Sequence, residues 1–584
     1  MLRSSRATVT LIRSLVLGTA TTVGVAAVSM TLVGCKDESQ PEYWVDKLED
    51  QPWRPRAIKR LEQFFEDAVT KANKDFESAE VKALLDKIVD PLTKTYLEHY
   101  DSMDTKTRVT LIKLLASFRD KRTEPALKKA LEEFAKRPKS TKDEQDIKWA
   151  ARAAIDLKLP SLGAPLLDVF QKLKASTMLG GSVYRDINEA MVAMPQQSWT
   201  GPLSKMLEAE ISPPTGPNDK DKIDPYRDQL FWQTTAAQVL GELAAGEAVD
   251  PLLKVMLDPA KADVQTTALL ALVKIGKPAV EQATKLLKGE ANDLEAFHVR
   301  RMKELGQKEP PKDDPHVRVA ALVLGTVGRK EAAPVMIQAL NSTKEAVNKA
   351  VIAAELAKLP ATPEAKAAFK QAFESMSLET VIPPGQNALH RLAESAAMFF
   401  DPGMIPWLLE RAESQAGSGE DKKALQSLIT ITALKLAKPD QLSAVKAAVN
   451  RYGTKIEKDA LALTEQLLKA CGDRASCYLA AIEKSENQEQ KTQFAGIKAG
   501  YMIGVLGNEA ARDKLVSALG SIENAAVRFV AAQTIDYLTP KGSAEVVDKL
   551  EAIIAKNKKS GDQNKMAGDQ PLQQVAYRLS TRAN

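Results

Sequence analysis

Histidine and cysteine are nearly missing from this 584-residue sequence, which has four of the first and three of the second. His99, His298, His316 and His390 are followed by Tyr, Val, Val and Arg, so no His-Glu pair exists. Neither H-E-x-x-H nor C-x-x-C occurs, and no metal or other cofactor is expected. There is no G-x-S-x-G nucleophile turn, and Gly276-Lys277-Pro278 carries Pro where a phosphate-binding loop needs Ser or Thr. Ser443-x-x-Lys446 has the spacing of a serine–lysine nucleophile pair, but no S-D-N or K-T-G accompanies it, and it reads as an Ala-rich surface helix. No catalytic residue is assigned, and the chain is not read as an enzyme. Aromatics make up only 5% of the residues, while Ala and Leu fill the apolar positions. Sheets favour β-branched and aromatic side chains, so this composition argues for helices packed closely on helices.

An excess of one charge is also lacking. The formal charge is +5, but Arg3, Arg6 and Arg13 lie in a segment expected to be removed. Taking those three from the 81 basic residues leaves 78 against 76 acidic ones, or +2. A near-neutral chain has no net attraction to nucleic acid. Acids and bases are interspersed, as on a solvated helical surface.

Long apolar runs are absent except at the start. Met1 to Arg13 holds three Arg and no acid, and Ser14 to Val33 is uncharged and mostly apolar. That is the layout of a secretory signal. It ends in Leu32-Val33-Gly34-Cys35, which resembles the bacterial lipobox. The resemblance implies cleavage before Cys35 and acylation of that cysteine, and two or three acyl chains anchor stably where one does not. The alternative is an uncleaved membrane-spanning helix. Lys36 stands where Asp retains well-studied Gram-negative lipoproteins in the inner membrane. Its presence favours the outer membrane, facing the periplasm or the cell surface.

Beyond Pro41 the chain repeats. Ala237, Leu240, Gly241 and Leu243, then Pro251 and Leu252, recur as Ala321, Leu324, Gly325 and Val327, then Pro334 and Val335. Shorter versions centre on Ala268, Leu272, Ile275 and Pro278, and on Gly504, Leu506 and Leu515. Leu243 to Ile275, Val327 to Leu359 and Leu506 to Leu538 are each separated by 32 positions; Ile275 to Val327 is 52, an excess of 20 that fits within the polar segment 289–315. A period that survives an identifiable insertion marks a repeat. Small residues let helices approach closely, and leucines at i, i+3 supply core contacts. Gly276 and Gly328 suit helix ends that need positive φ. Pro125, Pro165, Pro202, Pro251, Pro334 and Pro406 suit the first turn of each second helix, where a missing N–H costs nothing.

This pattern resembles short bacterial HEAT repeats, including those of the phycocyanobilin-lyase group. Tetratricopeptide repeats would place Pro after the second helix and aromatics in the first. The resemblance implies an all-α fold, an α-α superhelix of stacked antiparallel helix pairs. HEAT-like hydroxylases bind two irons through repeated His-Glu pairs, which this chain lacks. The expected organisation is a cleaved signal at 1–34, a lipid anchor and tether at 35–41 and a solenoid over 42–556. A polar linker at 557–570 and a C-terminal helix at 571–584 follow. Within the solenoid, 211–226, 289–315 and 377–387 read as loops between repeats.

Cys471 and Cys477 flank a Gly-Asp turn, and export makes a disulfide between them a natural expectation; buried free thiols are the alternative. Trp44 and Trp53 lie just after the anchor, and Trp44, Val45 and Leu48 form a helical stripe suited to a core. The functional expectation is a membrane-anchored scaffold that binds envelope proteins. The alternative is a site for a small molecule, polymer or peptide in the groove, or an unrecognised enzyme of the lyase-like group.

Overall fold

The computed structural model describes residues 37–137, 144–177, 183–214, 216, 218–306, 314–414, 419–484, 490–507, 509–560, 566 and 568–583. The signal segment and Cys35 lie outside them. The described residues hold 29 α-helices and one two-stranded hairpin. None of these helices is long and apolar enough to cross a membrane. The chain divides into two compact units, 1–95 and 96–584, where the repeat pattern led us to expect one continuous array.

The first unit contains α1 (Pro41–Asp46), α2 (Arg54–Lys71) and most of α3 (Ala79–His99). Pro41 and Pro55 sit in the first turns of α1 and α2, where no intrahelical N–H is needed. Trp44, Leu48, Ile58, Leu61, Val81 and Ile88 are buried. The Trp44 indole N–H donates to the Glu38 carbonyl at 2.7 Å, so this ring is core. Trp53 is half-buried, with Arg56 and Lys47 over its ring at 5.3 and 5.4 Å.

The second unit is built from helix pairs. In chain order these are α4 (Thr105–Ser117) with α5 (Glu124–Lys136), α6 (Glu144–Leu157) with α7 (Gly163–Lys172), and α8 (Val183–Ala193) with α9 (Thr200–Glu208). Next come α10 (Lys220–Glu242) with α11 (Val249–Leu257), and α12 (Ala262–Ile275) with α13 (Lys277–Leu287). After the single helix α14 (Asn292–Glu304) follow α15 (Pro315–Val327) with α16 (Ala332–Ser342), and α17 (Ala346–Leu356) with α18 (Pro363–Glu374). The hairpin β1 (Val381–Ile382) and β2 (Gln386–Asn387) precedes α19 (Ala388–Ser395) with α20 (Ile405–Ser414). Then come α21 (Gly419–Leu436) with α22 (Leu442–Tyr452), α23 (Lys455–Cys471) with α24 (Ala475–Glu483), and α25 (Gln490–Leu506) with α26 (Glu509–Ala518). The series ends in α27 (Ala525–Tyr537) with α28 (Ala544–Ser560), followed by α29 (Asp569–Ala583).

First helices pack on first helices, as in α4–α6, α6–α8, α10–α12, α15–α17 and α25–α27. Second helices pack on second helices, as in α5–α7, α9–α11, α16–α18 and α24–α26. The result is a two-layered all-α stack in which each pair mainly meets its neighbours. The named prolines fall in the first turns of α5, α7, α9, α11, α16 and α20. Gly276 and Gly328 cap α12 and α15 with φ of 73° and 71°, a region that L side chains rarely adopt.

Three segments read as loops contain regular structure. Residues 220–226 are the first two turns of α10. Residues 292–304 form α14, whose buried side chains are Leu294, His298 and Arg301. That stripe has helical spacing but is two-thirds polar, so the segment read as a loop. Acids in its first turn and bases in its last complement the helix dipole. Residues 381–387 form the hairpin, with Val381 opposite Asn387 and Ile382 opposite Gln386. At the far end, α28 runs to Ser560 and α29 starts at Asp569, so helix extends into both edges of the expected linker. Asn557 and Asp569 share a buried hydrogen bond of 2.7 Å across it.

Candidate functional site

The first helices carry a ladder of polar contacts from repeat to repeat. Arg108 on α4 pairs with Asp146 on α6 at 2.8 Å, and Arg152 on α6 with Asp186 on α8 at 2.8 Å. The Asn188 amide on α8 donates to Thr235 and Gln238 on α10 at 2.9 and 2.7 Å. Farther along, Arg318 donates to Asn348, Arg391 to Glu355, Ser427 to Glu457, and Thr534 to the Gly500 carbonyl. Each link spans one repeat, so the ladder fixes the register of successive first helices. Asp146 and Glu355 have fully buried side chains, and such carboxylates require their cationic partners.

Between these helices lie two cavities that share Asn188 and Gln238. The larger, about 550 Å³, is lined by Tyr184, Phe231, Leu230, Arg185 and Arg227. The second, about 430 Å³, lies between α8, α10 and α12 on one side and α28 and α29 on the other. Its charges are paired: Glu189 with Lys558 at 3.0 Å, and Glu242 with Lys274. Lys274 also sits over the Tyr577 ring at 4.3 Å. Burial pushes the Tyr577 hydroxyl well above its ordinary range, so it stays protonated, and it accepts from the Gln573 amide. Amide side chains and paired charges give this trough hydrogen-bonding capacity without net charge.

Buried cations elsewhere serve the fold. The Lys261 ammonium donates to the Leu207 carbonyl near the end of α9, and burial pulls its pKa down to about 8 against the pull of Asp258. The fully buried Lys498 donates to the carbonyls of Lys435 and Ala437 at the end of α21, and burial pulls its pKa far down. Both satisfy helix-terminal carbonyls that would otherwise lack donors. The sequence reading missed these cations, and it missed the ladder too. A signal for the ladder was present in Val317-Arg318-Val319-Ala320-Ala321, where Arg318 precedes the small-residue face.

The residues singled out from sequence are scattered. Cys471 and Cys477 form a disulfide with a Cα–Cα distance of 5.3 Å, joining the end of α23 to the first turn of α24. His298 is buried on α14, its Nδ1 2.6 Å from the Leu257 carbonyl, and burial lowers its pKa. His316 lies in the first turn of α15, His390 on α19 and His99 at the end of α3. Among the described residues, no group of three metal-ligating side chains includes His298, His316 or His390. Lys446 on α22 pairs with Glu465 at 2.8 Å on the exposed surface, away from both cavities.

Fold and face together define an all-α solenoid of stacked antiparallel helix pairs, with a trough formed by two adjoining cavities along α8, α10 and α12. No known family profile matches the chain, and no curated protein matches it. Among solved structures, it is similar to a Kap121p mutant at 11% identity and a TM-score of 0.36, covering 88% of this chain and 67% of that one. It is also similar to importin beta at 11% identity and a TM-score of 0.23, covering 92% and 84%. Neither overlap is close enough to carry a residue or a partner across.

Proposed function

We propose that this protein is an exported, lipid-anchored scaffold whose repeat array holds partner proteins in the cell envelope. The observation that carries the binding role is the trough along α8, α10 and α12, where a mostly apolar cavity adjoins one whose charges are paired. Such faces bind through area and need no cofactor. The anchor rests on Leu32-Val33-Gly34-Cys35, and Lys36 favours the outer membrane. In this reading the protein has no catalytic residue, metal, cofactor or nucleic-acid partner.

Crosslinking in cells followed by co-purification tests the scaffold. Specific envelope proteins should appear, and substitution of Asn188 and Gln238 together should deplete them. Palmitate labelling tests the anchor: label should enter the wild type and vanish in Cys35→Ser, and equal incorporation in both would end the lipoprotein reading. The 430 Å³ cavity also favours a second reading, a small polar ligand held in the trough. No protein partner, combined with a small molecule that raises the melting temperature, would decide for that ligand.

A further inference from the structure

The two faces of α29 differ in chemistry. Leu572, Val575, Ala576 and Leu579 are buried in the same core as Ile535 on α27 and Leu550 on α28. The opposite face reaches across to repeats that precede it by 220 to 254 positions. There Arg578 donates to the Lys358 carbonyl at 3.1 Å, and Arg582 to the Gly328 carbonyl at 2.8 Å. Arg329 donates back to the Thr581 carbonyl. Both α29 arginines also pair with Asp536 on α27, at 3.1 and 3.0 Å.

The receiving surface is made of helix C-terminal ends. Gly276 ends α12, Gly328 ends α15, and Lys358 follows α17. Exposed carbonyls give such ends partial negative charge, which guanidinium groups complement. The approach is close: a Cβ at Gly328 would lie 1.9 Å from the Arg578 guanidinium, and one at Gly276 3.0 Å from Thr581. Beyond α29, α27 makes its own separate aromatic contact with the earlier repeats, Tyr537 stacking on Phe400 at 4.6 Å.

We propose that α29 is a clasp: fused to its own repeat by an apolar face, it closes the array across the trough by a charged one that can open. The asymmetry supports this. An apolar seam would simply extend the core, whereas the contacts across this one are guanidinium-to-carbonyl hydrogen bonds, which contribute only modestly to net stability because both groups regain water when the seam parts. Closure places Tyr577 and Lys558 over the 430 Å³ cavity, so opening widens the trough to a partner. That last step rests on the binding role proposed above; the clasp itself is tested without any partner.

The experiment uses the full chain and hydrogen exchange, with small-angle scattering in parallel. Arg582→Glu removes the Gly328 contact and repels Asp536. Amides at 274–277, 326–329 and 356–359 should exchange about tenfold faster, as loss of a charge-assisted contact implies. The radius of gyration should rise, while α23, α24 and the α27–α29 core keep their protection. Arg329→Ala, which leaves α29 untouched, should loosen the same amides and covers the case in which Arg582→Glu fails to fold. Unchanged exchange and dimensions in the folded variants would overturn the clasp. Loss of protection in α27–α29 together with the seam would do so as well, because α29 would then be only a part of the core. If the clasp opens but partner capture is unaffected, the clasp stands and its link to the trough fails.

Discussion

Two glycine-to-alanine substitutions should have opposite signs. Gly241 lies in the last turn of α10, against α12. A Cβ built there would be 2.9 Å from the Ala271 Cα and 3.0 Å from its Cβ. Carbon atoms prefer about 3.5–4.0 Å, so α10 and α12 would have to separate by roughly 0.5–1 Å. Overpacking of this kind costs about 1–3 kcal/mol, and Ala returns at most about 1 kcal/mol through helix propensity. Gly241→Ala should therefore destabilise by about 1–2 kcal/mol. Gly201, in the first turn of α9, has nothing within 4 Å of the same construction. Gly201→Ala meets no clash and should stabilise by about 0.5 kcal/mol. Urea titration measures both, and hydrogen exchange in α12 locates the first. If Gly241→Ala stabilises as Gly201→Ala does, the small residues of the repeat do not mark backbone contact, and the packing argument fails.

Arg108→Ala leaves the Asp146 carboxylate buried without its cation and should cost about 3–5 kcal/mol in a urea titration. Lys423→Ala, which removes only an exposed pair with Glu420, should leave the midpoint unchanged. Cys477→Ala opens a loop with a sequence separation of 6 and should cost about 2 kcal/mol in the chain-entropy model, read as a lower thermal midpoint in oxidising buffer. Lys261, with a folded pKa of about 8 against 10.5 unfolded, binds fewer protons folded than unfolded between those values. Its contribution to stability is therefore present above pH 10.5 and lost as pH falls through about 8. Wild type should gain on Lys261→Met between pH 7.5 and 10 by on the order of 2–3 kcal/mol, and parallel pH profiles would refute the assignment.

The array was legible because its information is local. Ala237, Leu240 and Leu243 sit three or four residues apart, and a proline a few positions later starts the next helix. Nearest-neighbour stacking repeats that message along the chain, so even weakly matching stretches fold as pairs. Helix α14 was misread for the opposite reason. Its inward positions are His298 and Arg301, which satisfy the Leu257 carbonyl and Asp258, and a polar stripe has no apolar period to detect. The ladder escaped for a related reason: Arg108 and Asp146 look like ordinary surface charges until their helices are placed side by side.

The contacts of α29 differ in kind. Its apolar face could be read from the spacing of Leu572, Val575, Ala576 and Leu579, and that spacing says only that a helix buries one side. Nothing within thirty residues names Gly328 or Lys358 as the other side's partners. That pairing depends on the curvature accumulated from α15 to α27, which arises from small rotations at each interface. Curvature of this sort is a sum over repeats, so no single motif encodes it. The trough inherits the same property. Its floor is set by Asn188 and Gln238 in adjacent repeats, but Tyr577 and Lys558 reach it from the far end of the chain. The opening of this trough therefore depends on how tightly the whole second unit is wound, and a substitution in any intervening interface should alter it without touching the trough.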